Sequence, residues 1–297
     1  MTVRIVWAFI RLTRPVFLLG GALLYVLGVA MAAQRGVSIR LERALLGQVM
    51  VTAIQLMAHY ANEYYDIATD GLNSQRTWFT GGSGVLPGGE LEREVARRAS
   101  LAFALVGIAA VMAAMNQSPA AGVLGAVSLL GAWFYSAPPL VLMSSGWGEL
   151  STSLIVALLT PLTGFVLQTG RMDTRVLRVC APLVMIHLAM LLAFEFPDWD
   201  ADTAAGKRTL VVRLGREPAV YVHTALITVA TLLLLTGALD RPATRYVWLI
   251  TPLAAWQVLS LVWHAKHRGV DLPLLTLGAV SLFVLTAVLS LLGFVAP

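Results

Sequence analysis

Seven of the sixteen acidic residues of this 297-residue chain fall in two short clusters: Glu63, Asp66 and Asp70, then Glu195, Asp198, Asp200 and Asp202. In the first, Asn62, Asp66 and Asp70 recur every four residues. On a helix each such step drifts only about 40°, so the three line one face over about 12 Å. Gln55 and His59 continue that stripe, while Glu63 points away from it. In the second, Asp198 and Asp202 repeat the spacing, and Asp200 lies about 200° from Asp198 if the backbone stays helical past Pro197. These are hard oxygen donors. The lone Cys180 sits in an apolar run and no histidines cluster nearby, so the donor set favours Mg2+, or Mn2+, over zinc. Magnesium characteristically joins carboxylates to substrate phosphates. The expected chemistry is therefore a metal–diphosphate site; solvated helix ends at a membrane surface are the plainer alternative.

The elements that must carry these clusters are set by composition. The chain is 58% hydrophobic and only 12% charged, with a mean hydropathy of +0.78, about half the charge of an average soluble chain. A soluble enzyme is excluded. Nine continuous apolar stretches, each long enough to cross about 30 Å of hydrocarbon, fall near residues 16–33, 44–66, 99–115, 119–135, 148–168, 176–196, 218–238, 245–263 and 272–295. They lack the short alternating pattern of a membrane barrel. The expected fold is all-α and integral to the lipid bilayer: one transmembrane domain over residues 1–297. Residues 1–14 form an amphipathic interfacial segment rather than a cleaved signal, and residues 71–92 and 197–217 form cap loops. The formal charge of +5 includes no basic stripe suited to nucleic acid.

Carboxylates at the bilayer midplane cost about 2.5 to 3.5 kcal/mol each on insertion scales, and crowding them adds repulsion, so a positive group should lie between the clusters. The clusters end spans two and six, an even number of crossings apart, and so emerge on the same side and can share one substrate. Thirteen of the 21 Lys and Arg residues fall on the side of the N-terminus and the even-numbered loops. This places the N-terminus and both aspartate motifs in the cytoplasm of a multi-pass inner-membrane protein.

Taken together, these residues resemble the UbiA superfamily of intramembrane prenyltransferases. Asn62 to Asp70 is similar to that family's Asn-x-x-x-Asp-x-x-x-Asp motif, and Asp198 to Asp202 with Gly206, Lys207, Thr209 and the run Leu210 to Gly215 is similar to its second motif. The resemblance implies a helical bundle whose central cavity binds a polyprenyl diphosphate through magnesium. Asn62, Asp66, Asp70, Asp198 and Asp202 would be the ligands, and an allylic cation would be captured by a small aromatic acceptor. The patterns around Arg76 and Glu195 look most like members that use 1,4-dihydroxy-2-naphthoate in menaquinone biosynthesis. Acceptors such as 4-hydroxybenzoate, homogentisate or a glyceryl phosphate stay open, as do a terpene cyclase of the same family and, more distantly, a secondary transporter.

Supporting residues follow from the same chemistry. In the glycine-rich loop, Arg76 and the run Gly81, Gly82, Ser83, Gly84 are placed to meet a diphosphate by charge and by backbone amides, or else form a simple lid. Lys207 and Arg208 are placed to bind phosphate or to act as positive-inside anchors. Trp133, Phe134 and Tyr135 offer an aromatic face to a developing carbocation, with Tyr135 the candidate among them. The loop 136–148 contains no Lys or Arg, although family relatives usually carry one there. His59 and His187, on stripes facing the clusters, are candidates for accepting a proton or for bonding between helices. His223, His264 and His267 read as interfacial.

Overall fold

A computed structural model describes residues 2–73, 75–236, 241–267 and 272–296, and among them there are helices and no strands. With no water in hydrocarbon to satisfy backbone groups, apolar runs of this length are confined to helices. Helix α1 (Thr2–Leu12) precedes α2 (Pro15–Gln34), α3 (Leu41–Leu72), α4 (Arg93–Gln117) and α5 (Pro119–Ser136). Then come α6 (Gly148–Leu154), a wide π turn (Ile155–Leu159), α7 (Thr160–Thr169), α8 (Thr174–Ala204) and the short α9 (Leu210–Leu214). The chain ends with α10 (Arg216–Leu235), α11 (Arg241–Thr244), a 3-10 turn (Val247–Ile250), α12 (Thr251–His267) and α13 (Leu272–Val295).

Among the described residues nine helical segments are long and apolar enough to span a bilayer, and they coincide with the nine expected stretches. Local chemistry starts and stops them. Pro15 and Pro119 open α2 and α5, where a missing N–H costs nothing. The Asp173 carboxylate accepts from the Arg175 amide at 2.8 Å, and Gly170, in the left-handed region, closes α7. The π turn ends two residues before Pro161, whose ring would clash with a regular preceding turn, so α6 and α7 continue one path through the membrane. Residues 237 and 238, the end of the expected seventh span, lie outside the described residues.

The boundary at the second cluster differs from expectation. Residues 197–204 are not loop: α8 runs through Pro197 to Ala204, and only 205–209 remain irregular before α9. Proline removes one backbone hydrogen bond, and a helix already packed on its neighbours tolerates that loss. Helix α3 likewise continues beyond the apolar stretch to Leu72, so both acidic motifs stand on helix ends.

Helix α8 is the most enclosed span, with 61% of its apolar window buried against 28% for α4; it therefore forms the inner wall of the bundle. It packs on α10 and α13, while α3 packs on α4 and α5, and α2 on α7. The α2–α7 approach is close because it is made of small residues. A side chain at Gly28 would collide with the Pro161 carbonyl, and one at Gly164 would meet the Tyr25 carbonyl at 2.5 Å. Helix α1 stays outside, exposing Val3, Val6 and Trp7, as a helix lying along a membrane surface does.

Candidate active site

A cavity of about 330 Å³ opens between α2, α3, α5, α6, α8 and α13, and it gathers the predicted donors: Asn62, Asp66, Asp70, Asp198 and Asp202 all line it, together with Tyr135 and Lys207. The motifs face each other because each four-residue repeat stays on one helix face. Lys207, on the turn after α8, reaches back between them. Its Nζ lies 2.5 Å from Asp66 Oδ1 and 3.4 Å from Asp202 Oδ1, so it is the positive group that the crowded carboxylates require. Burial alone would depress this ammonium, but Asp66 and Asp202 outweigh it and hold the lysine above its ordinary value. Asp200 is outside the site, exposed and paired with Arg216 at 3.1 Å.

Among the described residues no three acidic, histidine or cysteine side chains converge as a closed metal clasp. The donors nevertheless fit a divalent ion joined to an anion. Asp70 Oδ2 is buried and has no hydrogen-bond partner among the described residues. Gly82, at a φ of 71°, presses its backbone so near the Asp70 carboxylate that a Cβ would overlap it, leaving a cradle that only glycine permits. An unpaired carboxylate oxygen beside an all-oxygen donor set is the environment a hard cation takes.

A second tier of contacts, not apparent in the spacing, holds this arrangement. Asn73, just past α3, donates from Nδ2 to Asp198 Oδ1 at 2.6 Å and so ties the first motif to the second. Arg76 donates to the Asp70 backbone carbonyl; it stands beside the cavity without lining it. Glu63, 1% exposed, accepts from Arg14 at 2.5 Å and from both the amide and hydroxyl of Ser83, each at 2.7 Å. Burial would lower the Arg14 guanidinium, yet Glu63, Asp70 and Asp66 keep it raised above the ordinary arginine value. The glycine-rich run is thereby divided. Gly81 and Gly82 line the cavity, whereas the Ser83 amide is engaged by Glu63 and the Ser83 carbonyl by Arg11.

Across the site, Glu149 accepts from the Leu210 amide at 3.0 Å and Glu195 from the Val211 amide at 2.8 Å. The buried Glu149 and the half-buried Glu195 thus anchor the start of α9 and the turn bearing Lys207. Lys207 and its neighbour part company here: Arg208 is exposed, does not line the cavity, and donates its backbone N–H to the Ser144 carbonyl at 3.2 Å. The loop lacking Lys and Arg supplies Met143 instead, whose sulfur accepts from Asn62 Nδ2 at 3.4 Å.

The aromatic wall also differs from expectation. Tyr135 faces the cavity, but Trp133 and Phe134 do not line it. Phe17 from α2, Phe79 from the cap and Phe194 from α8 form the wall, with ring centroids 6.1 to 6.5 Å apart. Single aromatics in apolar or loop segments leave no periodic signal. His59 and His187 both line the cavity and both bond neighbouring elements, through Nδ1 to the Thr13 carbonyl at 2.8 Å and to Ser153 Oγ at 3.0 Å respectively. His223 is not interfacial: it is fully buried in α10. The side chains of His264 and His267 lie outside the described residues.

Comparison with known proteins decides what this constellation belongs to, since residues 22–273 match the model of the UbiA prenyltransferase family. The chain is a member of that family. It is a multi-pass membrane prenyltransferase, and it is 25% identical over 213 residues to the 1,4-dihydroxy-2-naphthoate octaprenyltransferase of Bacillus subtilis (strain 168), covering 70% of this chain and 68% of that one. It is 27% identical over 215 residues to the protein of the same name from Mycobacterium tuberculosis, covering 72% and 70%. The fold is that of a UbiA homologue from Archaeoglobus fulgidus solved with GPP and Mg2+, with a TM-score of 0.65 at 17% identity over 97% of this chain and 99% of that one.

Proposed function

We propose that the chain transfers a polyprenyl group from its diphosphate to a small hydroxylated aromatic, 1,4-dihydroxy-2-naphthoate in menaquinone biosynthesis. The observation that carries this reading is the convergence of both carboxylate motifs and Lys207 at one end of an otherwise apolar, aromatic-walled cavity. The naphthoate follows the names of the relatives in Bacillus and Mycobacterium.

Asn62, Asp66, Asp70, Asp198 and Asp202 hold Mg2+, with Mn2+ a workable substitute, directly or through water. When bound, the metal stabilises the charge that develops on the departing diphosphate. Lys207 leaves Asp66 to pair with a diphosphate oxygen, and Arg76 braces the first motif from behind through the Asp70 carbonyl. Gly81 and Gly82 close the cap over the anion. Phe17, Phe79, Phe194 and Tyr135 keep water from the allylic carbon and present ring faces and edges to its positive charge. The tail leaves toward lipid between α2 and α13, where Val16 and Val284 line the cavity and are also exposed on the outer surface. The motifs open to the cytoplasm of the inner membrane, following the basic-residue bias.

The test is mass spectrometry of products formed by the purified protein with Mg2+, geranylgeranyl diphosphate and a panel of acceptors. A prenylated ring derived from the naphthoate, with CO2 released, is expected. A product from 4-hydroxybenzoate, homogentisate or a glyceryl phosphate moves the acceptor; a terpene from the diphosphate alone makes the chain a cyclase. Without Mg2+-dependent consumption of the diphosphate, both readings are rejected.

A further inference from the structure

We propose that His187 is the acceptor-recognition residue of this site, taking a hydrogen bond at Nε2 from a hydroxyl of the aromatic acceptor. The inference rests on the prenyltransferase reading above and extends it to how the acceptor is chosen. Ser153 Oγ lies 2.7 Å from the Glu149 backbone carbonyl and 3.0 Å from His187 Nδ1. A carbonyl only accepts, so the single hydroxyl proton of Ser153 is committed to Glu149. His187 Nδ1 must then carry the proton that bridges to Ser153. Its second nitrogen, Nε2, is left with a lone pair, and among the described residues no group donates to it. The ring also packs against Phe283 in a T-shaped contact, with centroids 4.8 Å apart. A buried imidazole, oriented by two neighbours and lining a cavity, therefore offers that cavity one fixed hydrogen-bond acceptor.

Position and chemistry identify what binds there. His187 and Asp198 are eleven residues apart on α8, about 16 Å along the axis. A metal-bound diphosphate, the reacting carbon and a one- or two-ring aromatic, laid end to end, fill that interval. The far edge of the ring then reaches Nε2. The surroundings at this depth, Met190, Leu191, Val280 and Phe283, are apolar, so a group meeting Nε2 must bring a proton of its own. A hydroxyl does so. A carboxylate, carrying only lone pairs, is repelled and must face the cations at the opposite end.

The experiment compares the full-length wild type with His187→Phe, His187→Gln and Ser153→Ala, using Mg2+, geranylgeranyl diphosphate and 1,4-dihydroxy-2-naphthoate. Thermal melting of each purified protein is recorded alongside. His187→Phe should raise the KM for the acceptor about tenfold, the loss of one buried hydrogen bond, with the KM for the diphosphate within twofold of wild type. His187→Gln, which keeps an acceptor atom, should recover most of that loss. Ser153→Ala, which releases the ring, should fall between. Folded variants with an unchanged acceptor KM, or with the effect on the diphosphate KM instead, would overturn the assignment. If the wild type prenylates no hydroxylated aromatic, the parent reading fails and takes this one with it; if it does, the KM split alone decides.

Discussion

Single residues divide into those that hold charge and those that hold the holders. Asp66 belongs to the first group, since its Oδ1 is what Lys207 meets at 2.5 Å. Asp66→Ala should abolish turnover while leaving the thermal melt near that of wild type, because it relieves crowding among carboxylates and opens no apolar cavity; product formation and melting measured on one sample check both halves. Glu63 belongs to the second group. Glu63→Gln leaves Arg14 without its charged partner in a buried setting, and removal of one member of such a pair costs about 3 to 5 kcal/mol; a fall in melting temperature of several degrees is expected. That the two motifs share one cavity was legible in the sequence because four-residue spacing is a geometric statement. Asn73, Glu63 with Ser83, and Glu149 with Glu195 were not, since each acts across more than ten residues of intervening chain on a partner that only the folded bundle brings near.

Among elements, the informative one is α9, five residues long and unable to hold itself as a helix in isolation. Its first amides are taken by Glu149 and Glu195 and its start is capped by the Thr209 hydroxyl, so it serves as a peg that fixes the turn carrying Lys207. Glu149→Ala should loosen that peg. Faster amide hydrogen exchange over residues 205–214, with α8 unchanged, is the measurement, and no change there would remove the role assigned to the glutamate. The spans themselves were readable from apolar length alone. The extension of α8 through Pro197 was not, because local preference argues for a break and only packing against α10 and α13 overrides it. The same distinction holds at the α2–α7 contact, where glycines at 28 and 164 give no pattern until the partner helix is known. Gly28→Leu should prevent that approach and yield a protein that melts earlier or fails to accumulate.

At the scale of the whole molecule, scarcity of charge and concentration of function are one design. An apolar shell meets lipid on all sides, and the carboxylates it excludes elsewhere collect at one end of one cavity, balanced by Lys207 and Arg14. Topology is directly testable because the single native thiol, Cys180, is buried and will not compete for reagent. A cysteine replacing the exposed Gln75 should react with an impermeant maleimide only from the cytoplasmic side, and one replacing the exposed Met172 only from the other. The central claim is that α3 and α8 form a single metal–diphosphate site. Its most direct measurement is calorimetric binding of a non-reactive prenyl diphosphate analogue to wild type, Asp66→Asn, Asp202→Asn and the double variant, each with and without Mg2+. One shared site predicts Mg2+-dependent binding that either single substitution weakens strongly, the double variant losing much less than the two losses combined. Binding that is indifferent to Mg2+, or losses that simply add, would contradict it.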